Sequence, residues 1–454
     1  MAKKTIYDAV IIGAGASGLM AAVTAARTGA KVILLEHMDQ AGKKILATGN
    51  GRCNYTNTDQ NPDAYYCTHP QFVGQVLRQF SYEDTIRFFE ELGIRPIQKN
   101  GTCIYPESGQ AASVRQVLLA EVRRLRIPML LSVGIRSIHK VQDVRSGGTF
   151  YPYLFELQTK EQPFYSRHCI LATGGQASKK TGSDGSGYLY AKQLGHTIQK
   201  PLPALVPLLA DAKKWKLPAG IRIGCTAALY VDGMFQAQEH GELQITDYGL
   251  SGIVIFQFSR IAAKALAQNR HVQVFLDWKP EQSKAELTAY LAMRFSSQYH
   301  AGQTVEESMI GFLPDKLIPP VCQRAGIRTE EPCCTCSKKQ VRKLAALLKS
   351  YEVCITGTKP FDAAQVTAGG VSVEEIHAAS MESKKVPGLY FAGEIIDVDA
   401  KCGGYNLQWA WASGYAAGKS IGTTATKGEA QRPASFPAFC QSVRGAATGL
   451  LDPG

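Results

Sequence analysis

The chain has 454 residues, 45% of them apolar, which exceeds what one core sustains and reads as two or three globular domains. No stretch approaches about 18 uncharged apolar residues, and Met1–Lys4 lead straight into the first apolar run, so neither a membrane span nor a secretory leader is expected and the protein reads as cytoplasmic. The net charge of +12 favours anionic ligands; with no nucleic-acid motif beside it, a small-molecule substrate is the expected partner and nucleic acid is not.

Tyr7–Glu36 carries the densest signal. The apolar run Ala9–Ile12 predicts a strand, Gly13-Ala14-Gly15-Ala16-Ser17-Gly18 a turn into a small-residue helix, and Lys31–Leu35 a second strand closed by Glu36. Gly13 permits the tight turn, Gly15 lets backbone approach a pyrophosphate, and Gly18 lets the helix lie close on the sheet. Free N–H groups at the helix start, around Ala16 and Ser17, face the phosphates. Glu36 accepts hydrogen bonds from both hydroxyls of an unphosphorylated ribose and repels a 2′-phosphate, so FAD or NAD fits this site and NADP is disfavoured.

Gly42–Asn54 is basic and glycine-rich and is expected to be a loop rather than a regular element, with Lys43, Lys44, Gly49, Gly51 and Arg52 able to approach a phosphate or an electron-rich ring edge. Helices are predicted over 82–93 and 113–126, the second capped by Ser113. Strands follow at Met129–Val133 and Tyr153–Gln158. The run from Cys169 then ends on Ala172-Thr173-Gly174, a second turn of small residues near the first. Prolines at 201, 203, 207 and 218 and the alternating segments Thr226–Val231 and Glu242–Ile245 point to inserted antiparallel sheet. A helical pattern occupies roughly 281–349, where Cys333, Cys334 and Cys336 cluster without the further ligands of a zinc or iron–sulfur site, so no metal is expected. Twelve cysteines without a secretory signal read as reduced thiols.

From Val371 the alternation of strand, glycine turn and helix returns, through Gly388–Glu394, Gly403–Leu407 and a helix over Ala410–Lys419. The expected organisation is a first nucleotide-binding part over 1–194, an antiparallel β domain over 195–280, a helical insert over 281–350, a return strand of the β domain over 351–364, the rest of the nucleotide-binding domain over 365–422, and an irregular tail over 423–454.

Three strand ends, at Gly13–Gly18, Ala172–Gly174 and Phe391–Glu394, suit an FAD extended across one parallel sheet. Gly393 belongs to the last of them, and Glu394 or Asp397 is placed to hold the ribityl chain. Backbone N–H groups near Gly404, Tyr405, Asn406 and Leu407, at the start of the final helix, stabilise negative charge at the N1–O2 edge of a reduced flavin. At these residues the chain resembles the BaiN/YhiN-like flavoproteins, the aminoacetone-oxidase-like FAD-binding enzymes that are distant relatives of the fumarate-reductase flavoprotein group. The resemblance runs from about Tyr7 to Gly418, and its most unusual stretches are Gly51-Arg52-Cys53-Asn54 and Gly403-Gly404-Tyr405-Asn406-Leu407-Gln408-Trp409. It implies an α/β fold, a Rossmann-like FAD-binding domain with an inserted β-barrel-like domain and a small helical domain, and an active site between domains at the flavin ring. His37 and Ile135 join the expected cofactor contacts.

For catalysis the candidates are Arg52, Asn54 and Tyr405. Arg52 and Asn54 serve cofactor binding equally well, and Tyr405 orients substrate, donates a proton, or packs against the cofactor. Cys53 is either a flavin-proximal thiol or an inert buried cysteine. No His or Cys falls in a flavin-linkage motif, so FAD is expected to be noncovalent. One branch of the resemblance implies reduction of a conjugated C=C bond in an enone of steroid or bile-acid type with NAD(P)H. Another implies oxidation of a small amine by oxygen. An RNA-modifying or binding protein with structural FAD is the reading from a different class. No second Gly-x-Gly-x-x-Gly follows a strand, so NAD(P)H would dock at the flavin face as a transient donor.

Overall fold

Apolar side chains on both faces of a strand place it inside a sheet covered on both sides. Ile6–Ile12 is such a strand, with Ala9, Val10 and Ile11 fully buried. It lies parallel to Val32–Leu35 on one side and to Phe164–Leu171 on the other. Met129–Leu130 continues the sheet beyond Val32–Leu35. Phe164–Leu171 changes neighbours along its length: Phe164–Ser166 pairs antiparallel with Thr149–Thr159, which forms a hairpin with Ile135–Ser146, whereas Cys169–Leu171 pairs parallel with Leu389–Phe391. The computed structural model describes residues 5–146, 148–296 and 302–429, the side chains of 424–429 excepted. Among these, no helix is long and apolar enough to cross a membrane.

The helix Ala16–Arg27 is wedged between this sheet and the final helix, Tyr405–Glu429. Their contact is close because Gly414, Gly418 and Gly422 recur at helical spacing; a Cβ on them would strike Ser17 O, Ala21 O and the Thr28 side chain. That packing corrects two expectations. The final helix is longer than Ala410–Lys419, and residues 423–429 are helical rather than part of an irregular tail, because the glycines that weaken an isolated helix lie on the face that docks. The remainder of the expected tail, 430–454, lies outside the described residues.

A closed antiparallel barrel, in the order Leu208–Ala210, Gly249–Ser251, Met234–Ile245, Ile221–Val231, Val272–Asp277 and Tyr351–Thr358, forms the second body. Its interior takes every second residue of the central strands, Ala227, Leu229 and Val231 against Val272, Val274 and Leu276. The helices Lys284–Arg294, Val305–Met309, Ile318–Ala325 and Lys338–Lys349 intervene before the last barrel strand. They share one apolar cluster with the barrel through Leu287, Leu291, Leu344 and Leu348, so barrel and helices have a common core. The barrel begins at Leu208 rather than 195: Ile198–Ala204 instead pairs antiparallel with Val366–Val371, a ribbon that carries the chain out of the first body and back. The α/β Rossmann-type architecture with barrel and helices expected from the sequence is the one found.

Two local expectations are corrected. Gly42–Asn54 contains a helix, Lys43–Ala47, before the tight turn Thr48–Gly51. The helix Ala111–Arg124 starts ahead of Ser113, whose hydroxyl meets that of Ser108 instead of capping the helix.

Candidate active site

The parallel strands end on one edge of the sheet, and their connecting turns wall a cavity of about 1260 Å³ that continues to the barrel. Its size exceeds the roughly 300–1,000 Å³ of ordinary small-ligand sites and suits an extended dinucleotide with room beyond it.

At one end stands the glycine turn. Gly13 has φ +99°, and a Cβ there would strike the carbonyl of Ala172, so the first and second turns touch through backbone alone. Gly18 faces the carbonyl of Gly13 more closely still. Gly15 differs: a Cβ at this position would meet no protein atom, and no side chain caps the helix it opens. The unbonded N–H groups of that first turn therefore meet the cavity. Glu36, 7% exposed, is held by hydrogen bonds from Ala14 N (2.7 Å) and Met38 N (2.9 Å), with His37 Nδ1 at 3.3 Å. Both carboxylate oxygens are thus fixed at the cavity wall with lone pairs left for a diol.

Midway, Lys44 donates to Glu394 (2.6 Å), whose other oxygen accepts from Thr367 N (2.8 Å). Two buried polar atoms on the wall, Thr173 Oγ1 and Asn54 Oδ1, have no hydrogen-bond partner among the described residues. Orphaned atoms facing a cavity are what a polar ligand satisfies. The glycine cradle, the fixed acid and these two atoms together fit FAD.

The sequence and its neighbours agree with that fit. The family model described as the HI0933-like protein Rossmann domain matches residues 7–420. The chain belongs to the HI0933-like Rossmann family. Within it the chain is a BaiN-like flavoprotein oxidoreductase. It is 40% identical to the 3-dehydro-bile acid delta(4,6)-reductase of Clostridium scindens over 90% of this chain and 98% of that protein. It is 30% identical to the ribosomal RNA dihydrouridine synthase of Haemophilus influenzae, over 91% and 98%. The Escherichia coli protein of the same name is 28% identical, over 91% and 98%.

Of the residues singled out from the sequence, Gly13, Gly15, Ala16, Ser17, Glu36, His37, Lys43, Lys44, Gly49, Arg52, Asn54, Ile135, Ala172, Thr173, Gly174, Glu394, Gly404, Asn406 and Leu407 line this one cavity. Gly18, Gly51, Cys53, Gly393, Asp397 and Tyr405 do not. Cys53 is fully buried, and burial pushes its thiol up to about 12, so it stays protonated and inert. Gly393 packs on Ser17. Asp397 is buried near Arg260 and Lys264, away from the wall. Tyr405 is the largest correction: its hydroxyl donates to Asp59 Oδ2 (2.9 Å), and its ring stands edge-on to Tyr65 at 5.7 Å, so its phenol is committed elsewhere.

The neighbouring motif residues are structural as well. Asn406 exchanges hydrogen bonds with the backbone of Ala400, Gln408 is satisfied by Thr56, Thr85 and Phe80, and Trp409 donates to Gly393 O. These bonds fix the helix start, so that the backbone at Gly404 meets the cavity alongside Asn406, Leu407 and Trp409. Missed by the sequence reading were Asn100, Cys103 and Tyr105 from the hairpin Pro96–Pro106, Arg222, Glu242 and Gln244 from the barrel, and Ile253, Phe256, Gln257 and Cys402. They belong to segments far apart in the chain and carry no motif; the strand alternation Cys103, Tyr105 was their one local signal.

Glu36→Ala is expected to weaken FAD binding by about 1–3 kcal/mol, the scale for charge-assisted hydrogen bonds. Fluorescence titration of the apoprotein measures it, and an unchanged dissociation constant removes Glu36 from the ribose.

Proposed function

We propose that this flavoprotein reduces a C=C bond conjugated to a carbonyl in an enone of steroid or bile-acid type, with NAD(P)H as transient donor. The observation that carries the reading is the extent of the cavity: the space that holds the nucleotide cradle also reaches a wall where Leu205, Ile253, Phe256 and Val366 stand beside the polar Arg222, Glu242, Gln244 and Gln257. A flat alicyclic substrate suits such walls. Similarity to the bile-acid reductase supports it. The chemistry named for the rRNA relatives is of the same kind, since dihydrouridine is uridine saturated at a bond conjugated to a carbonyl.

FAD, when bound, supplies the hydride. Gly13–Gly18 hold its pyrophosphate, Glu36 its ribose, and Lys44 with Glu394 its central chain. The helix start at Gly404–Leu407 presents backbone donors and the positive end of its dipole to the electron-rich flavin edge. Arg52, on the same cavity wall, binds the enone oxygen and draws electrons from the double bond.

The test is an anaerobic titration. The purified protein is expected to be yellow, to release FAD on acid precipitation, and to bleach with NADH or NADPH. A 4-en-3-one steroid or bile acid should then restore the oxidised spectrum. Reoxidation by oxygen or by a uridine-containing RNA but by no enone would overturn the reading, as would bleaching by a small amine alone.

A further inference from the structure

The reduction needs a proton as well as a hydride, and Tyr405 is turned to Asp59. The strand Cys103–Pro106 alternates: Ile104 and Pro106 are buried, while Cys103 and Tyr105 line the cavity. Tyr105 reaches the turn that carries Arg52 and Asn54, its ring edge lying 3.4 Å from where a Cβ of Gly49 would stand. Asn54 Oδ1 lies 2.9 Å from the corresponding point on Gly404, so the phenol, the amide and the helix start close one end of the cavity.

We propose that Tyr105 is the catalytic proton donor of this reaction, an inference that rests on the enone-reductase reading above. The other protic groups nearby are spoken for. Thr48 donates to Ile45 O (2.6 Å), and a guanidinium such as Arg52 does not give up its proton. The thiols of Cys103 and Cys402, on the same cavity, are the competitors. Burial, reinforced by Cys103 and Cys402, raises the Tyr105 pKa, while Arg52 and Asn100 oppose the shift, so the hydroxyl remains protonated and ready to donate. In the step, the β carbon of the enone receives a hydride whose two electrons come from reduced FAD, itself regenerated by a reduced nicotinamide nucleotide. The π electrons move to the α carbon, which takes the Tyr105 proton. Water entering the cavity returns a proton to the phenolate.

Tyr105→Phe keeps the ring and removes only the hydroxyl. The variant should bind FAD with unchanged affinity and bleach with the nicotinamide at the wild-type rate. A 4-en-3-one should still bind the oxidised protein, read by the perturbation of the flavin spectrum. Reoxidation of the reduced variant by that enone should slow by about a hundredfold or more, the scale of a lost general acid. Wild-type reoxidation in Tyr105→Phe overturns the proposal and leaves the reductase reading standing. So does slowed reoxidation in Cys103→Ser or Cys402→Ser together with a wild-type rate in Tyr105→Phe, which would assign the proton to a thiol. Loss of FAD or of enone binding in Tyr105→Phe would make the tyrosine structural and also overturn it. Failure of any enone to reoxidise the wild-type protein overturns both readings at once.

Discussion

Gly404→Val is expected to raise the FAD dissociation constant by at least tenfold and to lower the thermal midpoint. Gly404 has φ +94°, a conformation that a β-branched residue resists, and its Cβ would stand 2.7 Å from Thr56 O and 2.9 Å from Asn54 Oδ1. The left-handed backbone alone costs about 1–2 kcal/mol, and the overpacking about 1–3 kcal/mol more. Thr56 O belongs to a strand paired with Ile104, so relief must come from the helix start, which moves away from the cavity. Gly51→Ala is the control. Gly51 also has positive φ (+80°), but its Cβ would touch nothing and it does not line the cavity. That variant should lose stability alone and bind FAD normally. Equal FAD affinity in the two variants would place the flavin elsewhere.

Arg260→Ala is expected to destabilise the protein by about 3–5 kcal/mol, the scale for stripping one partner from a buried ion pair. Arg260, on the helix Ile253–Ala267, donates to Asp399 Oδ1 at 2.7 Å, with side-chain exposures of 12% and 2%. Its guanidinium also stacks over Tyr66 at 4.7 Å. Burial raises Asp399 to about 6 even with Arg260 in place, and Asp397 is raised by the same cause. The folded state therefore holds a proton that the unfolded chain has already released, and stability falls as pH rises from about 4 through about 6. Without Arg260 the charged form is worse still. The deficit of the variant should be largest near neutral pH and shrink toward pH 5, where Asp399 is neutral. Thermal midpoints across that range measure it, and a deficit independent of pH would mean that the loss is packing rather than charge. The same helix holds Cys402 through Gln257, which exchanges hydrogen bonds with its backbone, so the barrel side sets the position of the Gly403–Gly404 turn.

What was legible in the sequence is what short-range geometry dictates. The order strand, Gly13–Gly18, helix, strand, Glu36 needs no distant partner to be read, because each residue's task is set within about thirty positions of chain. The Ala172–Gly174 and Gly388–Glu394 strand ends were legible for the same reason. Tertiary structure decided the rest. Tyr405 looks like a flavin-edge phenol in sequence, but a helix start offers side chains to opposite sides, and only the packing of Tyr65 and Asp59 shows which side it takes. The glycines of the last helix read as weakness until the helix Ala16–Arg27 lies against them. Tyr105 carries no motif, since its relation to Arg52 and Asn54 arises from an antiparallel hairpin some fifty residues further along the chain. Local backbone rules specify the cradle of a nucleotide; the chemistry beside it depends on which distant side chains the fold brings to the same wall.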